Sequence, residues 1–268
     1  MTKPLAAYSK YKLVEVVDLG NFVYSVRLNR PKQLNALNND ICEIGDVFVQ
    51  LDEDVDCRAV GPSSAFSSTL SLEGDDDVAR KARKILRIIH KMQGSFTAIE
   101  KCCKPVVAAI HGYCLGGGID IITACDVRFS TRDAEYSEAA VGLAADVGSL
   151  NRLPKIIGNH SWLRDVALTA RHFRGEEAAH YGLVSRLFDT REELEKEALV
   201  TASAMAMLSP VAVQGTKVVL NYARDHPVDE SLKFVAIWNA SQLQSDDVPA
   251  SAMAVMSKGK SPAHFSKL

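Results

Sequence analysis

A glycine triplet, Gly116-Gly117-Gly118, stands within the segment HGYCLGGGIDIITACD at 111–126 and is the sharpest local feature of the sequence. A short apolar run before it predicts a buried strand, and apolar residues after it at helical spacing predict a helix. Glycines let backbone N–H groups approach a ligand without a Cβ in the way, and a helix N-terminus favours negative charge. The triplet therefore indicates either a site for a phosphate or a developing oxyanion, or simply a tight turn that needs small residues.

The glycine segment does not match the common nucleotide-binding loops. No Lys-Ser or Lys-Thr follows the glycines, as a Walker A loop requires, and the G-x-G-x-x-G spacing of dinucleotide sites is missing. Asp120 follows shortly after the triplet, where an acid either takes part in chemistry or simply favours the start of a helix. His111, at the end of the apolar strand, is interpreted as a structural histidine.

The bulk composition excludes several classes of function. The chain has 268 residues, 47% apolar and 24% charged, with a formal net charge of -2. This balance provides no basic surface for nucleic acid or for a membrane, and no apolar run approaches the ~20 residues that span a bilayer. The six cysteines form no C-x-x-C pair and lack zinc-like spacing to histidine. We therefore expect packed thiols and no metal site.

Strand and helix patterns divide the chain into two parts. Alternating apolar and polar residues around Gly20-Asn21 predict a β-hairpin over 13–28. The other predicted strands lie at 58–60, 106–110 and 127–129, and the predicted helices at 38–52, 78–92, after the glycine triplet through Cys125, 161–170, 176–182, 192–207, 210–223 and 229–243. We predict an α/β core over 1–205 followed by a helical region over 206–268.

Several motifs, in order along the chain, resemble the crotonase (enoyl-CoA hydratase/isomerase) superfamily. They are LNRPKQLNAL (28–37), CKPVVAAIHGYCLGGGID with the following ACDVRF (103–129), FRGEEAAHYGLVSR (173–186) and SPVAVQGTK (209–217). Because these independent motifs cover nearly the whole chain, chance is a poor explanation for them. The resemblance implies a spiral of ββα units and a C-terminal helical region that builds homotrimers, often paired into homohexamers.

The resemblance also implies an acyl-CoA thioester substrate and no separate cofactor, since coenzyme A belongs to the substrate. In this family the thioester oxygen lies between two backbone N–H groups. Gly117 would supply one of them, flanked by Gly116 and Gly118, and Ser68 would supply the other. Removing a proton next to a thioester puts negative charge on that oxygen, and each preorganised donor there lowers the barrier by ~3–4 kcal/mol.

The segment that carries Ser68 departs from the family pattern. Family members usually have Phe, two small residues, Gly, any residue, Asp and an apolar residue there, whereas this chain has FSSTLSL at 66–72. Thr69 thus replaces the Gly, and Ser71 replaces the Asp. Because a β-branched Thr resists positive φ, a weakened or rebuilt oxyanion hole is one consequence to consider.

Three carboxylates, Asp120, Glu138 and Asp146, indicate a branch of the superfamily. The segment VGLAADVGSLNRLPKIIGN (141–159) is similar to the dienoyl-CoA isomerases, more so than to the hydratases, which lack an acid matching Asp146. Isomerisation of a 3,5-diene thioester to the 2,4-diene removes a proton from C2 and adds one at C6. By this resemblance Glu138 is the base at C2, Asp146 is the acid at C6, and Asp120 holds or tunes the pair. Each acid alone also fits an ordinary capping, turn or surface role.

Two other functions stay open at this point. One is an enoyl-CoA hydratase or Δ3-Δ2-enoyl-CoA isomerase, against which Asp146 argues. The other is a catalytically weak acyl-CoA-binding subunit, for which the irregular 57–73 region is the main support. Lys and Arg residues on the 77–93 helix are candidates for contacts to the coenzyme phosphates, although the sequence does not single one out.

The chain ends in Ser266-Lys267-Leu268, the tripeptide that the peroxisomal import receptor reads. It follows the polar stretch SKGKSPAHF, which favours accessibility. We therefore expect this receptor as a partner and a location in the peroxisome or a peroxisome-like organelle.

Overall fold

The fold is described from a computed structural model of the chain. The structure describes residues 4–30, 32, 35, 42–61, 77–138, 142–257 and 263–268. The strands are β1 (Val14–Asp18), β2 (Val23–Leu28), β3 (Ala59–Gly61), β4 (Val107–Ile110), β5 (Tyr113–Leu115), β6 (Val127–Thr131), β7 (Glu135–Ser137), β8 (Phe173–Arg174) and β9 (Arg186–Phe188).

Helices surround these strands and dominate the last third of the chain. They are α1 (Cys42–Glu53), α2 (Val78–Lys101), α3 (Gly117–Ala124), α4 (Ser149–Ile156), α5 (His160–Thr169), α6 (Gly175–His180), α7 (Arg191–Ala206), α8 (Pro210–Asp225), α9 (Val228–Gln242) and α10 (Asp247–Met256), with a short 3-10 helix at Ala6–Tyr8. Within the described ranges, each predicted strand and helix is present, and the bounds agree to within a few residues except at α2, which was predicted over 78–92 and continues to Lys101.

The N-terminal hairpin opens the first sheet, in the order β1-β2-β3. β1 and β2 pair antiparallel, with Val16 opposite Val26, and the predicted hairpin is confirmed. The turn between them has positive φ at Gly20 and Asn21, the conformation that these two residue types tolerate best. β3 then adds in parallel to β2.

The middle of the chain alternates between two further sheets. β4, β6 and β9 form one sheet, and β5, β7 and β8 form the other. From β4 to β7, consecutive strands therefore enter different sheets, and α3 separates the pair β4 and β5 from the pair β6 and β7. The segment from β4 through β5 to α3 is a ββα unit, as the predicted spiral requires. A bridge between Val60 and Val106 links the first sheet to the second.

Helix α7 covers the strands with a narrow, small-residue face. Leu194, Ala198, Ala202 and Ala206 recur one turn apart on this helix and are fully buried. They pack against strand residues Val23, Ala59, Val107, Ala109 and Phe129. Alanines at this spacing let the helix axis approach the sheets closely.

An ion pair inside the fold joins the C-terminal helices to the spiral. Lys217 on α8 is buried, and its Nζ lies 2.7 Å from Oδ2 of Asp126. It also donates to the carbonyl oxygens of Ile99 and Lys104.

A division of the chain at residues 205 and 206 stays a prediction. In the described part of the chain, no single helix is long and apolar enough to cross a membrane; α7 and α8 meet that requirement jointly, with a bend of 108° between them.

Four cysteines behave as the sequence predicts. Cys57, Cys102, Cys114 and Cys125 are buried, unpaired thiols within the hydrophobic core. They pack as small apolar side chains.

Candidate active site

The glycine turn leads from β5 into α3 through a strained position. Gly116 has φ 50° and ψ -113°, a combination that side chains with a Cβ avoid, so this position needs glycine. Its N–H donates to the carbonyl oxygen of Ser137 at 2.9 Å, which ties the turn to the end of β7. Gly117 and Gly118 then begin α3, where backbone N–H groups have no acceptor within the helix. These donors suit an oxyanion.

Asp120 lies in the first turn of α3 and is 2% exposed. Its Oδ1 accepts a hydrogen bond from the backbone N–H of Ser149 at 2.5 Å. Burial raises the pKa of Asp120 to about 6, although the bonds from Ser149 and the charge of Arg152 oppose that rise. A carboxyl group with this pKa is partly protonated near neutral pH.

Glu138 follows directly after β7 and is 7% exposed. Its Oε1 accepts from the hydroxyl of Ser149 at 2.8 Å. Among the residues that the structure describes, no group donates to its other oxygen, Oε2. Burial, together with the nearby charge of Asp120, raises the pKa of Glu138 to about 7. A group with this pKa accepts and releases a proton readily at neutral pH.

Ser149 joins these two acids, and the sequence analysis missed it. It is the first residue of α4, and it holds Asp120 with its backbone N–H and Glu138 with its side chain. The N-terminal end of α4 therefore points at the acid pair, where the helix dipole favours negative charge. Leu150, Leu153 and Ile157 at helical spacing signal this helix, but Pro154 inside it obscures the pattern.

Asp146 lies in the irregular segment just before α4 and is half-buried. When ionised, its carboxylate contributes to the raised pKa of Asp120, so these two acids lie within electrostatic range of each other. The side-chain amide of Gln93 donates to the carbonyl oxygen of Asp146 at 2.6 Å. The structure thus gathers all three predicted carboxylates around the start of α4.

A cavity of about 410 Å³ opens beside Glu138. Its lining is mainly aliphatic and comes from the segment before α4, from α4 and from α5: Leu143, Ala144, Ala145, Leu150, Pro154, Leu163, Ala167 and Leu168, with His160 and Arg164 among them. An apolar cavity with one carboxylate fits an aliphatic chain whose reactive end meets Glu138.

Some predicted residues fall outside the described ranges. Ser68 and the rest of the 66–72 segment lie there, so the second oxyanion donor stays a prediction.

Within the described residues, no group of three or more His, Cys, Asp or Glu side chains is arranged to hold a metal ion. His111 has no role in this acid cluster; burial lowers its pKa.

The C-terminal tripeptide lies on the surface. Ser266, Lys267 and Leu268 are exposed, and Lys267 forms an ion pair with Asp56. The buried guanidinium of Arg58 donates to the carbonyl oxygens of Phe265 and Ser266, at 2.9 and 3.4 Å. The tail is therefore bound to the first sheet.

Comparison with solved structures confirms the predicted fold class. A probable enoyl-CoA hydratase/isomerase from Mycobacterium abscessus superposes with a TM-score of 0.82 at 26% identity, covering 95% of this chain and 98% of that one. An enoyl-CoA hydratase from Bacillus anthracis gives a TM-score of 0.83 at 22% identity, over 95% and 99% of the two chains. The architecture is the crotonase spiral of these proteins.

Sequence comparison defines the family. The profile described as enoyl-CoA hydratase/isomerase matches residues 18–265, and the chain belongs to this family. It is 45% identical to the mitochondrial Delta(3,5)-Delta(2,4)-dienoyl-CoA isomerase of Rattus norvegicus, over 96% of this chain and 84% of the relative. It is 39% identical to the peroxisomal Delta(3,5)-Delta(2,4)-dienoyl-CoA isomerase of Arabidopsis thaliana, over 96% and 98%. The recognised superfamily resemblance is thereby confirmed.

Proposed function

We propose that this chain is an isomerase that converts a 3,5-dienoyl-CoA to the 2,4-dienoyl-CoA during fatty-acid β-oxidation. The observation that carries the proposal is the acid cluster: Ser149 holds two buried carboxyls, and Asp146 lies within electrostatic range of one of them. A reaction that moves a proton from one carbon to another far along the chain needs a base and an acid at separate places. The names of the rat and Arabidopsis relatives support the same reaction.

In the proposed mechanism, Glu138 removes a proton from C2 of the substrate. Its Oε2, to which no described residue donates a hydrogen bond, is the oxygen that takes up that proton. Electrons from the broken C–H bond move into the thioester, and its oxygen gains negative charge. The N–H of Gly117, together with that of Ser68, would stabilise this oxyanion.

Asp146 then donates a proton to C6, and the electrons return along the chain to leave double bonds at C2 and C4. Glu138 has gained a proton and Asp146 has lost one, so exchange with solvent restores both groups. Asp120 acts through Ser149 by fixing the residue that orients Glu138. The apolar cavity beside Glu138 accommodates the rest of the acyl chain.

Assembly and location extend the proposal. Helices α8 and α9 expose large apolar side chains, among them Leu220, Leu232 and Ile237, which supports a homotrimer or homohexamer.

The exposed Ser266-Lys267-Leu268 and the peroxisomal Arabidopsis relative support recognition by the peroxisomal import receptor. Other relatives are named mitochondrial. Purification of organelles from cells that express this protein with a tagged or an untagged C-terminus distinguishes the two locations.

A substrate panel tests the reaction. Purified protein is given a 3,5-dienoyl-CoA, a 3-enoyl-CoA and a trans-2-enoyl-CoA, and ultraviolet absorbance follows each thioester. Formation of the extended 2,4-diene chromophore from the first substrate supports the proposal. Faster hydration of the trans-2-enoyl-CoA or faster isomerisation of the 3-enoyl-CoA would instead support the hydratase or Δ3-Δ2-isomerase alternative. Tight binding of all three without turnover would indicate an acyl-CoA-binding subunit.

A further inference from the structure

One face of helix α2 forms hydrogen bonds to the segment that carries Asp146. Gln93, Thr97 and Glu100 recur at the spacing that places residues on one side of a helix. Gln93 donates to the carbonyl oxygen of Asp146 at 2.6 Å. Thr97 and Glu100 accept from Nη2 and Nε of Arg152, at 3.1 and 2.9 Å. The segment from 146 to 152 is therefore held at both ends by a single rigid helix.

The contact between α2 and Arg152 is buried and closely packed. The side chains of Arg152 and Glu100 are 11% and 14% exposed, and Arg224 on α8 also pairs with Glu100. Gly148 has φ 134°, and a Cβ there would collide with Nη1 of Arg152. A buried, hydrogen-bonded ion pair of this kind fixes the position of Arg152, because removing either partner leaves the charge of the other uncompensated.

The Asp146 end depends on fewer contacts. Residues 142–148 have no regular secondary structure, so the backbone of Asp146 is not held by a strand or helix ladder. Glu138, in contrast, follows β7 and is oriented by Ser149. Loss of the Gln93 bond would therefore displace Asp146 and leave Glu138 in place.

We propose that Gln93 is a positioning residue for Asp146. Its amide fixes the backbone from which the Asp146 carboxyl reaches the distal end of the diene. The inference rests on the proposed function, in which Asp146 protonates C6. Since a misplacement of about 1 Å costs roughly 100-fold in rate, a single hydrogen bond to the backbone is sufficient to matter.

Gln93→Met tests this role, because it keeps the length of the side chain and removes the donor. We expect kcat for the 3,5-diene to fall ~10–100-fold with little change in KM. In D2O, exchange of the C2 proton of unconverted substrate should continue, since Glu138 performs that step. Gln93→Glu, whose ionised carboxylate cannot donate, should behave in the same way. Lys101→Gln, an exposed change on the same helix, should leave turnover unchanged.

A double substitution distinguishes positioning from general damage. In an Asp146→Asn background, Gln93→Met should cause no further loss of rate, because the group that it positions is already gone. Wild-type kcat in Gln93→Met, equal loss of C2 exchange and isomerisation, or additive losses in the double variant would each overturn the role of Gln93. A wild-type protein that forms no 2,4-diene would contradict the proposed function itself, and the role of Gln93 with it.

Discussion

The hydroxyl of Ser149 donates to Oε1 of Glu138 at 2.8 Å while the backbone N–H of the same serine donates to Asp120. One residue thereby sets the distance between two buried carboxyls. The bond to Oε1 stabilises the ionised form of Glu138, and it leaves Oε2 without a described partner. Ser149 thus orients the proposed base and moderates its pKa.

Replacement of Ser149 should change both the orientation and the pKa of Glu138. Ser149→Ala removes the donor, so the pKa of Glu138 should rise further, since that hydrogen bond lowers it. We expect kcat to fall by about 10-fold, less than the roughly 100- to 10,000-fold that a general base itself contributes, because Glu138 remains present. The measurement is kcat/KM as a function of pH, with the exposed Ser161→Ala as the control. An unchanged midpoint in Ser149→Ala would show that the hydroxyl does not act on Glu138.

The pH dependence of the wild-type enzyme should report Glu138. A base must be ionised to accept a proton, so kcat/KM should rise with pH and reach half of its plateau near the pKa of about 7. Initial rates across the neutral range measure this midpoint in the free enzyme. A rate that stays constant across that range would exclude Glu138 as the proton acceptor.

The same carboxyl should make stability depend on pH. Its pKa rises from 4.5 to about 7 on folding, chiefly through burial, so the folded chain retains a proton that the unfolded chain releases. Stability from this group is therefore present below the lower pKa and is lost as pH rises through the higher one. Glu138→Gln should raise Tm by a few degrees at about pH 8 and by little at about pH 4. Thermal unfolding of this variant, beside exposed Glu192→Gln, measures the difference; an equal Tm change at both pH values would argue against it.

The buried Lys217 should be important for stability. Lys217→Met leaves Asp126 without its partner, and loss of one member of a buried pair costs about 3–5 kcal/mol. Lys233→Met, an exposed change on the neighbouring helix α9, should cost far less. Denaturant unfolding of both variants compares the two free energies. Equal costs would mean that the ion pair does not hold α8 to the spiral.

Long periodic elements were predictable from the sequence. The hairpin around Gly20 and the helices α7 to α9 carry enough apolar repeats to define their type and position. The strands β5 and β7 escaped prediction because each has three residues, too few for an alternation to be recognised, and neither has the continuous aliphatic pair that marked the equally short β3. They are nevertheless the strands that deliver Gly116 and Glu138 to the site.

The candidate site was predictable in part. Asp120, Glu138 and Asp146 were found through a family resemblance, and the structure places them near one another. Ser149 and Gln93 were not found, because they act through hydrogen bonds between segments far apart in sequence. No local spacing or composition signals such a partner. Only the fold brings Gln93 to Asp146.

The position of solvent-derived deuterium in the product tests most directly the division of work between Glu138 and Asp146. The reaction is run in D2O, and the 2,4-dienoyl-CoA is analysed by NMR and mass spectrometry. The account predicts one deuterium at C6 with the wild type. It also predicts that Asp146→Asn forms this product only at a strongly reduced rate, although C2 of the recovered substrate still exchanges. A C6 position free of deuterium, or full turnover by Asp146→Asn, would contradict the two-carboxylate mechanism.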